Sequence, residues 1–302
     1  MDVERRLYYY GIRAGIPFAA LNAIAGACDN ARFAGDISLR RRVAKQALEG
    51  SPWRGFIPKE LCYARVQPDQ LPGSREMVEA AKAVIEDCRA TGWKARPGNP
   101  FFQCEKQQYF VDYPALINFA LSDAVLQIVS DYYGMVPQLW SFGIWVTDPQ
   151  SHVYSSQLFH LDKPECSLLK LFINLDQTHA DTGPLTFLPA NVSDRVRRGT
   201  RYEANYFRCY TGADGRLTDE QVFKYASRSD CVVLSGGPGS GGFADTSHCL
   251  HFGSRTQGGQ RKMVAIAYQL AHKSGRHNDL FDLVPTPKDE IRRLALKRTA
   301  IN

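Results

Sequence analysis

The spacing of apolar positions divides the chain into two textures. Residues 1–135 are mostly helical in pattern. "SREMVEAAKAVIEDCRATG" at 74–92 repeats apolar residues at helical intervals, with Ser74 as N-cap and Gly92 as stop. "YPALINFALSDAVLQIVSDYYG" at 113–134 predicts one or two helices, opened by Pro114 and closed by Gly134. Beyond it the period shortens. Strands are predicted at 138–147, 154–162, 167–176, 183–190, 231–236, 241–253 and 261–271, each short, apolar and bounded by Gly, Pro or Asp. The polar stretch 191–230 reads as an insert of loop and some helix, and "TPKDEIRRLALKR" at 286–298 as a capped terminal helix. Helices followed by many short strands argue for an α+β fold with a sandwich or jelly roll.

Composition narrows the class. With 44% hydrophobic and 23% charged residues, the chain has the make-up of a soluble globular protein. A net charge of +6 suits an anionic small molecule and is too weak to argue for nucleic acid. The eight cysteines contain no CxxC pair, which excludes a zinc ribbon and suggests buried thiols in a reducing, cytoplasmic setting. "GIPFAALNAIAGAC" at 15–28 resembles a secretion signal, but Pro17 and Asn22 interrupt its apolar core. No run reaches membrane-spanning length.

The chemistry concentrates at "FHLDKPE", 159–165. On a strand, side chains two apart share a face, so His160 and Asp162 converge on one spot. Taken alone they are either metal ligands or an ordinary surface pair. A third ligand would come from "DTSHCLHFGSR" at 245–255, which holds His248 and His251. Two His and one carboxylate form the facial triad of non-haem iron oxygenases. Such enzymes seat a second organic acid on the open metal positions, and its far carboxylate requires a bidentate cation. Arg261, ten residues after His251 at the start of an apolar strand, is the candidate; Arg255, four residues after His251, competes.

From about residue 113 to 271 the chain resembles the phytanoyl-CoA dioxygenase family of Fe(II)/2-oxoglutarate oxygenases. The resemblance lies in "DYYG" (131–134), "QLFHLD", the segment "LKLFINLDQTHADTGPLTFLPANVSD" (169–194), the histidine near "HFGS" and the downstream Arg. It departs from the family at "ANVSD", where Gly-Ser-His usually follows the proline, and in offering two distal histidines. His251 is favoured because its distance to Arg261 resembles the family's, and because on one strand His248 would face away.

The resemblance implies a single oxygenase domain over 1–302: a mainly helical N-terminal region spanning 1–135, a double-stranded β-helix core 136–272 carrying the 191–230 insert, and a tail 273–302. It implies Fe(II) on His160, Asp162 and His251, and 2-oxoglutarate on Arg261 with Thr186 and Ser254; Thr182 is a weaker candidate. The implied reaction is O2-dependent hydroxylation of a small molecule, with release of succinate and CO2. An intact Asp162 fits hydroxylation, since related halogenases carry a small residue there. A binding protein that keeps the metal as a structural staple is the alternative, but it has no use for Arg261.

Other signals carry less. "LSGGPGSGGF" at 234–243 lacks the Lys-Ser/Thr of a phosphate loop and reads as a strand connection. Lys170 and Asn174 share one strand face and either line the pocket or face solvent. Trp140 and Trp145 read as core.

Overall fold

Eleven strands lie in two antiparallel sheets among the described residues. The computed structural model describes residues 3–91, 101–104, 106–149, 155–162, 167–203, 215–271 and 279–296. The strands are β1 (Tyr63–Val66), β2 (Phe101–Cys104), β3 (Gln138–Thr147), β4 (Phe159–His160), β5 (Leu168–Asn174) and β6 (Thr186–Phe187). They continue with β7 (Arg216–Leu217), β8 (Val232–Val233), β9 (Gly241–Asp245), β10 (His251–Phe252) and β11 (Arg261–Gln269). The larger sheet has the order β1-β9-β5-β11-β3-β2, and the smaller β7-β4-β10-β6-β8. From β3 to β6 the chain alternates between the larger and the smaller sheet, and it does so again from β8 to β11. That alternation is the double-stranded β-helix, and with the helices it makes the fold α+β.

The helices are α1 (Val3–Arg13), α2 (Phe18–Arg32), α3 (Ala34–Ala47), α4 (Ser74–Ala90) and α5 (Tyr109–Asp112). After them come α6 (Pro114–Ala120), α7 (Asp123–Tyr133), α8 (Ala190–Thr200), α9 (Asp219–Val222) and α10 (Glu290–Leu296). None is long and apolar enough to cross a membrane. Cys28, Cys62, Cys88, Cys231 and Cys249 are free thiols.

Alternation along the strands sorts their side chains into layers. Leu169, Leu171 and Ile173 of β5 and Val264, Ile266 and Tyr268 of β11 join α4, α6 and α7 in the main core. The opposite faces, with Phe172, Met263 and Ala244, pack with Phe187 and Val232 of the smaller sheet. The interior between the sheets is therefore lined by Lys170, Phe172 and Asn174 from β5 and by Arg261, Met263 and Ala265 from β11. A third layer, Phe159, Leu161, Leu188, Leu217 and Leu250, backs the smaller sheet against Val196 of α8 and Tyr202.

Several expectations shift. Ser74 is the first helical residue of α4; the N-cap is Gly73, left-handed at φ 82°, a conformation glycine adopts without steric cost. Gly92 lies outside the described residues. Tyr63–Val66 and Phe101–Cys104 are strands within the region read as helical, added at the two edges of the larger sheet. The 154–162 strand shortens to β4, preceded by a 3-10 turn at Ser155–Gln157. The 241–253 strand is two strands, β9 and β10, in different sheets. The insert carries the expected helix in α8 and α9, and in addition a short strand, β7, that pairs with β4. In the Gly-rich connection, Gly241 packs so closely on the Phe172 carbonyl that no side chain fits there.

Candidate metal centre and anion clamp

His160 and His251 are direct partners across the β4–β10 pair. Residues opposite one another in an antiparallel ladder project to the same face. Phe159 and Phe252, beside them, pack in the outer layer, so the imidazoles point into the interior. Each ring's Nδ1 lies by the carbonyl two residues before it, at 2.8 Å from Leu158 O and 3.0 Å from Cys249 O. Nδ1–H donation to those carbonyls leaves both Nε2 lone pairs free for a metal.

Asp162 completes the set. Its Oδ1 lies 3.8 Å from His160 Nε2, and its Oδ2 lies 3.4 Å from His251 Nε2. One ligand atom from each of the three falls within 4.8 Å of the others. Donors ~2.1 Å from one metal at right angles would stand roughly 3 Å apart, so a small inward shift brings all three onto a shared ion. The backbone at Asp162 is pinned: its N–H donates to Thr246 O at 2.9 Å, and its carbonyl accepts from Ser247 Oγ. Leu161 N donates to Tyr202 Oη at 2.9 Å, and that hydroxyl donates to Gly215 O at 2.6 Å. Tyr202 thus holds the backbone between the two ligands.

The electrostatics favour deprotonated ligands. Burial pushes the His160 imidazole down to about 3, helped by His251 and by the charge of Arg216 and opposed by Asp162. Burial would raise the Asp162 carboxyl, but Lys170, the bond to His251 and the imidazole charges outweigh it and hold it well below its usual range. Lys170 Nζ donates to Asp162 Oδ2 at 2.7 Å. Lys170 therefore reaches the centre, whereas Asn174 ties β5 to the glycine-rich connection by donating to Leu234 O and Ser240 Oγ.

Arg261, 3% exposed, opens β11 opposite Thr147 of β3. It shares its face with Met263, in the packing between the sheets. Burial draws its guanidinium down to about 10, so it stays charged at neutral pH. Its Nε is buried without a hydrogen-bond partner, and it makes no ion pair among the described residues. The Ser254 hydroxyl is likewise buried and unpartnered. Arg255 is already committed. It grips Asp219 with two hydrogen bonds, 3.0 and 2.8 Å, and lies 3.6 Å over the Phe252 ring.

The remaining candidates fall elsewhere. Thr186 pairs with Phe252 on the face away from His251, and its hydroxyl donates to Pro184 O at 3.3 Å. The Thr182 hydroxyl bonds to the His179 backbone. Trp145 packs with the inter-sheet cluster. His248 lies in the turn between β9 and β10, its Nδ1 3.0 Å from Asp245 Oδ2, an ion-pair distance without good hydrogen-bond direction. It misses the metal centre because it is off the strand. The expected reason, opposite faces of a single strand, does not hold. Lys170's contact with Asp162 was left open by the sequence, and Tyr202 and Arg216 were missed. Their approach depends on pairings distant in sequence, and no local signal marks them.

No family profile matches the sequence, and no curated protein sequence does. Solved structures similar to the chain include EctD from S. alaskensis in its apo form (17% identity, TM-score 0.49, 85% of this chain and 87% of that one). HygX from Streptomyces hygroscopicus, solved with nickel and 2-oxoglutarate, has 14% identity and TM-score 0.47 over 73% of this chain and 87% of its own. SnoK, a non-haem α-ketoglutarate-dependent carbocyclase from nogalamycin biosynthesis, has 17% identity and TM-score 0.44 over 73% and 84%. TM-scores this low add no weight; the double-stranded β-helix rests on this chain's own strand order and register.

Proposed function

We propose that the chain is an Fe(II)/2-oxoglutarate-dependent oxygenase, of the phytanoyl-CoA dioxygenase kind, that hydroxylates a small organic molecule. One observation carries this reading: two imidazoles and one carboxylate converge in an interior that also holds the buried, unpaired Arg261. A metal staple would account for the first three residues. It would not account for a guanidinium buried without an anion, which costs several kcal/mol in effective desolvation. The unpartnered atoms of Arg261 and Ser254 fit a carboxylate, and 2-oxoglutarate supplies one.

In this reading His160, Asp162 and His251 would hold the metal. Arg261, with Ser254 in support, receives the far carboxylate of 2-oxoglutarate. Fe(II) with 2-oxoglutarate and O2 supplies oxidative C–H chemistry, with succinate and CO2 as by-products. Lys170 fixes Asp162 and balances its charge. The apolar lining, Phe172 and Met263 among it, limits water around the metal.

The test is succinate formation by the purified chain given Fe(II), 2-oxoglutarate and O2, with and without candidate substrates. Succinate that depends on Fe(II) and is lost in Asp162→Ala supports the reading. Tight metal binding with neither 2-oxoglutarate binding nor succinate would make the centre a structural staple.

A further inference from the structure

We propose that Arg216 docks an oxyanion of the organic substrate beside the metal centre, so that the substrate is a small molecule bearing a carboxylate or a phosphate. This rests on the oxygenase reading above and names its substrate class.

Arg216 lies on β7, directly opposite His160 in the β4–β7 pairing. The neighbouring pair, Phe159 and Leu217, packs into the outer layer with α8. Arg216 and His160 therefore project together to the inner side.

Partial burial without a partner separates it from the other described arginines of the insert and of the turn beyond β10, because Arg198 and Arg201 are exposed and the rest pair with carboxylates. Arg195 pairs with Asp230, Arg197 with Asp194 and Glu203, and Arg228 and Arg255 with Asp219. Arg216 makes no ion pair among the described residues, and its Nη1 is buried without a hydrogen-bond partner. A buried N–H with no acceptor is costly and calls for a ligand.

Charge balance points the same way. The faces turned between the sheets carry three cations, Lys170, Arg216 and Arg261, and with them the carboxylate of Asp162. A divalent metal and dianionic 2-oxoglutarate cancel one another, so bound cofactors leave the positive excess in place. Position separates the two arginines. Arg261 is in the larger sheet and almost wholly buried, suited to a co-substrate enclosed in the protein. Arg216 is on the edge strand of the smaller sheet and only partly buried, reachable by a substrate arriving from outside. Its planar fork offers paired donors to a carboxylate or a phosphate.

The experiment titrates the full chain, loaded with Fe(II) under argon, with benzoate, phenyl phosphate and the neutral benzamide. Heat of binding is measured with 2-oxoglutarate present and again with the metal alone. Wild type is expected to bind at least one anion about tenfold or more tightly than benzamide. Arg216→Gln should erase that preference and leave 2-oxoglutarate affinity intact; Arg216→Lys should restore part of it. The better anion tells carboxylate from phosphate. Equal binding of the anions and benzamide to wild type overturns the proposal. So does a preference that survives in Arg216→Gln, or loss of 2-oxoglutarate binding in that variant, which would make Arg216 a member of the co-substrate clamp. If wild type fails to bind 2-oxoglutarate, the oxygenase reading falls, while the metal-alone arm still decides whether Arg216 binds an oxyanion.

Discussion

His160 and His251 face one another across a single antiparallel pairing, with ring centroids 4.3 Å apart and planes inclined at 46°. Nothing but the strand register brings them together, because the residues are ninety-one apart in sequence. His160→Ala, Asp162→Ala and His251→Ala should each abolish stoichiometric Fe(II) binding, measured by calorimetry under argon. His248→Ala should retain it. Metal binding that survives in His251→Ala and is lost in His248→Ala would reverse the assignment.

Arg261 and Arg255 should separate by readout. Arg261→Ala strands a carboxylate in a buried site, a loss on the order of 2–5 kcal/mol, or roughly 30- to several-thousand-fold in 2-oxoglutarate affinity. Iron affinity should hardly move, since Arg261 is not a ligand. Arg255→Ala breaks the Asp219 grip and should lower stability by about 1–3 kcal/mol, with little effect on 2-oxoglutarate. Titration and thermal unfolding of both variants decide between them.

Lys170 is a positioning residue acting through Asp162. Lys170→Met should reduce 2-oxoglutarate turnover at saturating iron about 10- to 100-fold, as lost outer support of a metal ligand commonly does. The melting temperature should change little. Wild-type turnover in this variant would make the 2.7 Å contact incidental.

Tyr202→Phe removes the one hydroxyl that serves both Leu161 N and Gly215 O. Two backbone groups then lose their partner, at a cost of about 1–3 kcal/mol. Iron affinity should fall as the backbone between His160 and Asp162 loosens. Denaturant unfolding together with iron titration would show both losses; unchanged iron affinity would limit Tyr202 to the fold.

The His248–Asp245 pair should carry a pH signature. Burial works against protonated His248, yet the charge of Asp245 beside it raises its pKa overall. Asp245, fully buried, is lowered overall: burial opposes its ionisation, but His248, Ser167 and Tyr132 outweigh it. A raised histidine stabilises fully below its unfolded pKa of about 6.5, and the stabilisation is lost as pH rises through the folded value. A lowered carboxyl stabilises above about 3.9 and loses that as pH falls through its folded value. The melting-temperature gap between wild type and His248→Gln should therefore be widest near pH 5–6 and narrow toward pH 9. A gap that widens with pH would contradict the pairing.

The sequence by itself determined what is local. Pro114 and Gly134 bracket the helices of 113–134, and β3 occupies the predicted 138–147. His160 and Asp162 lie two apart, so a short extended segment is enough to bring them to one spot. That His251 rather than His248 lies beside His160 and Asp162 was also legible, although the argument assumed one strand where the chain turns between two. What only the tertiary structure decided depends on pairings between distant segments. The edge strands β1 and β2 were invisible because four residues carry too little pattern to show a strand without a partner. Arg216 meets His160 only through the β4–β7 register, and Tyr202 reaches Leu161 only because α8 packs behind the smaller sheet. Arg255 meets Asp219 only through the packing of the insert beside β10, and that pairing occupies its guanidinium. Hydrophobic period reports which face of an element is buried. Which charged side chains share that burial depends on register and sheet order, and those brought Lys170 to Asp162 and set Arg216 opposite His160.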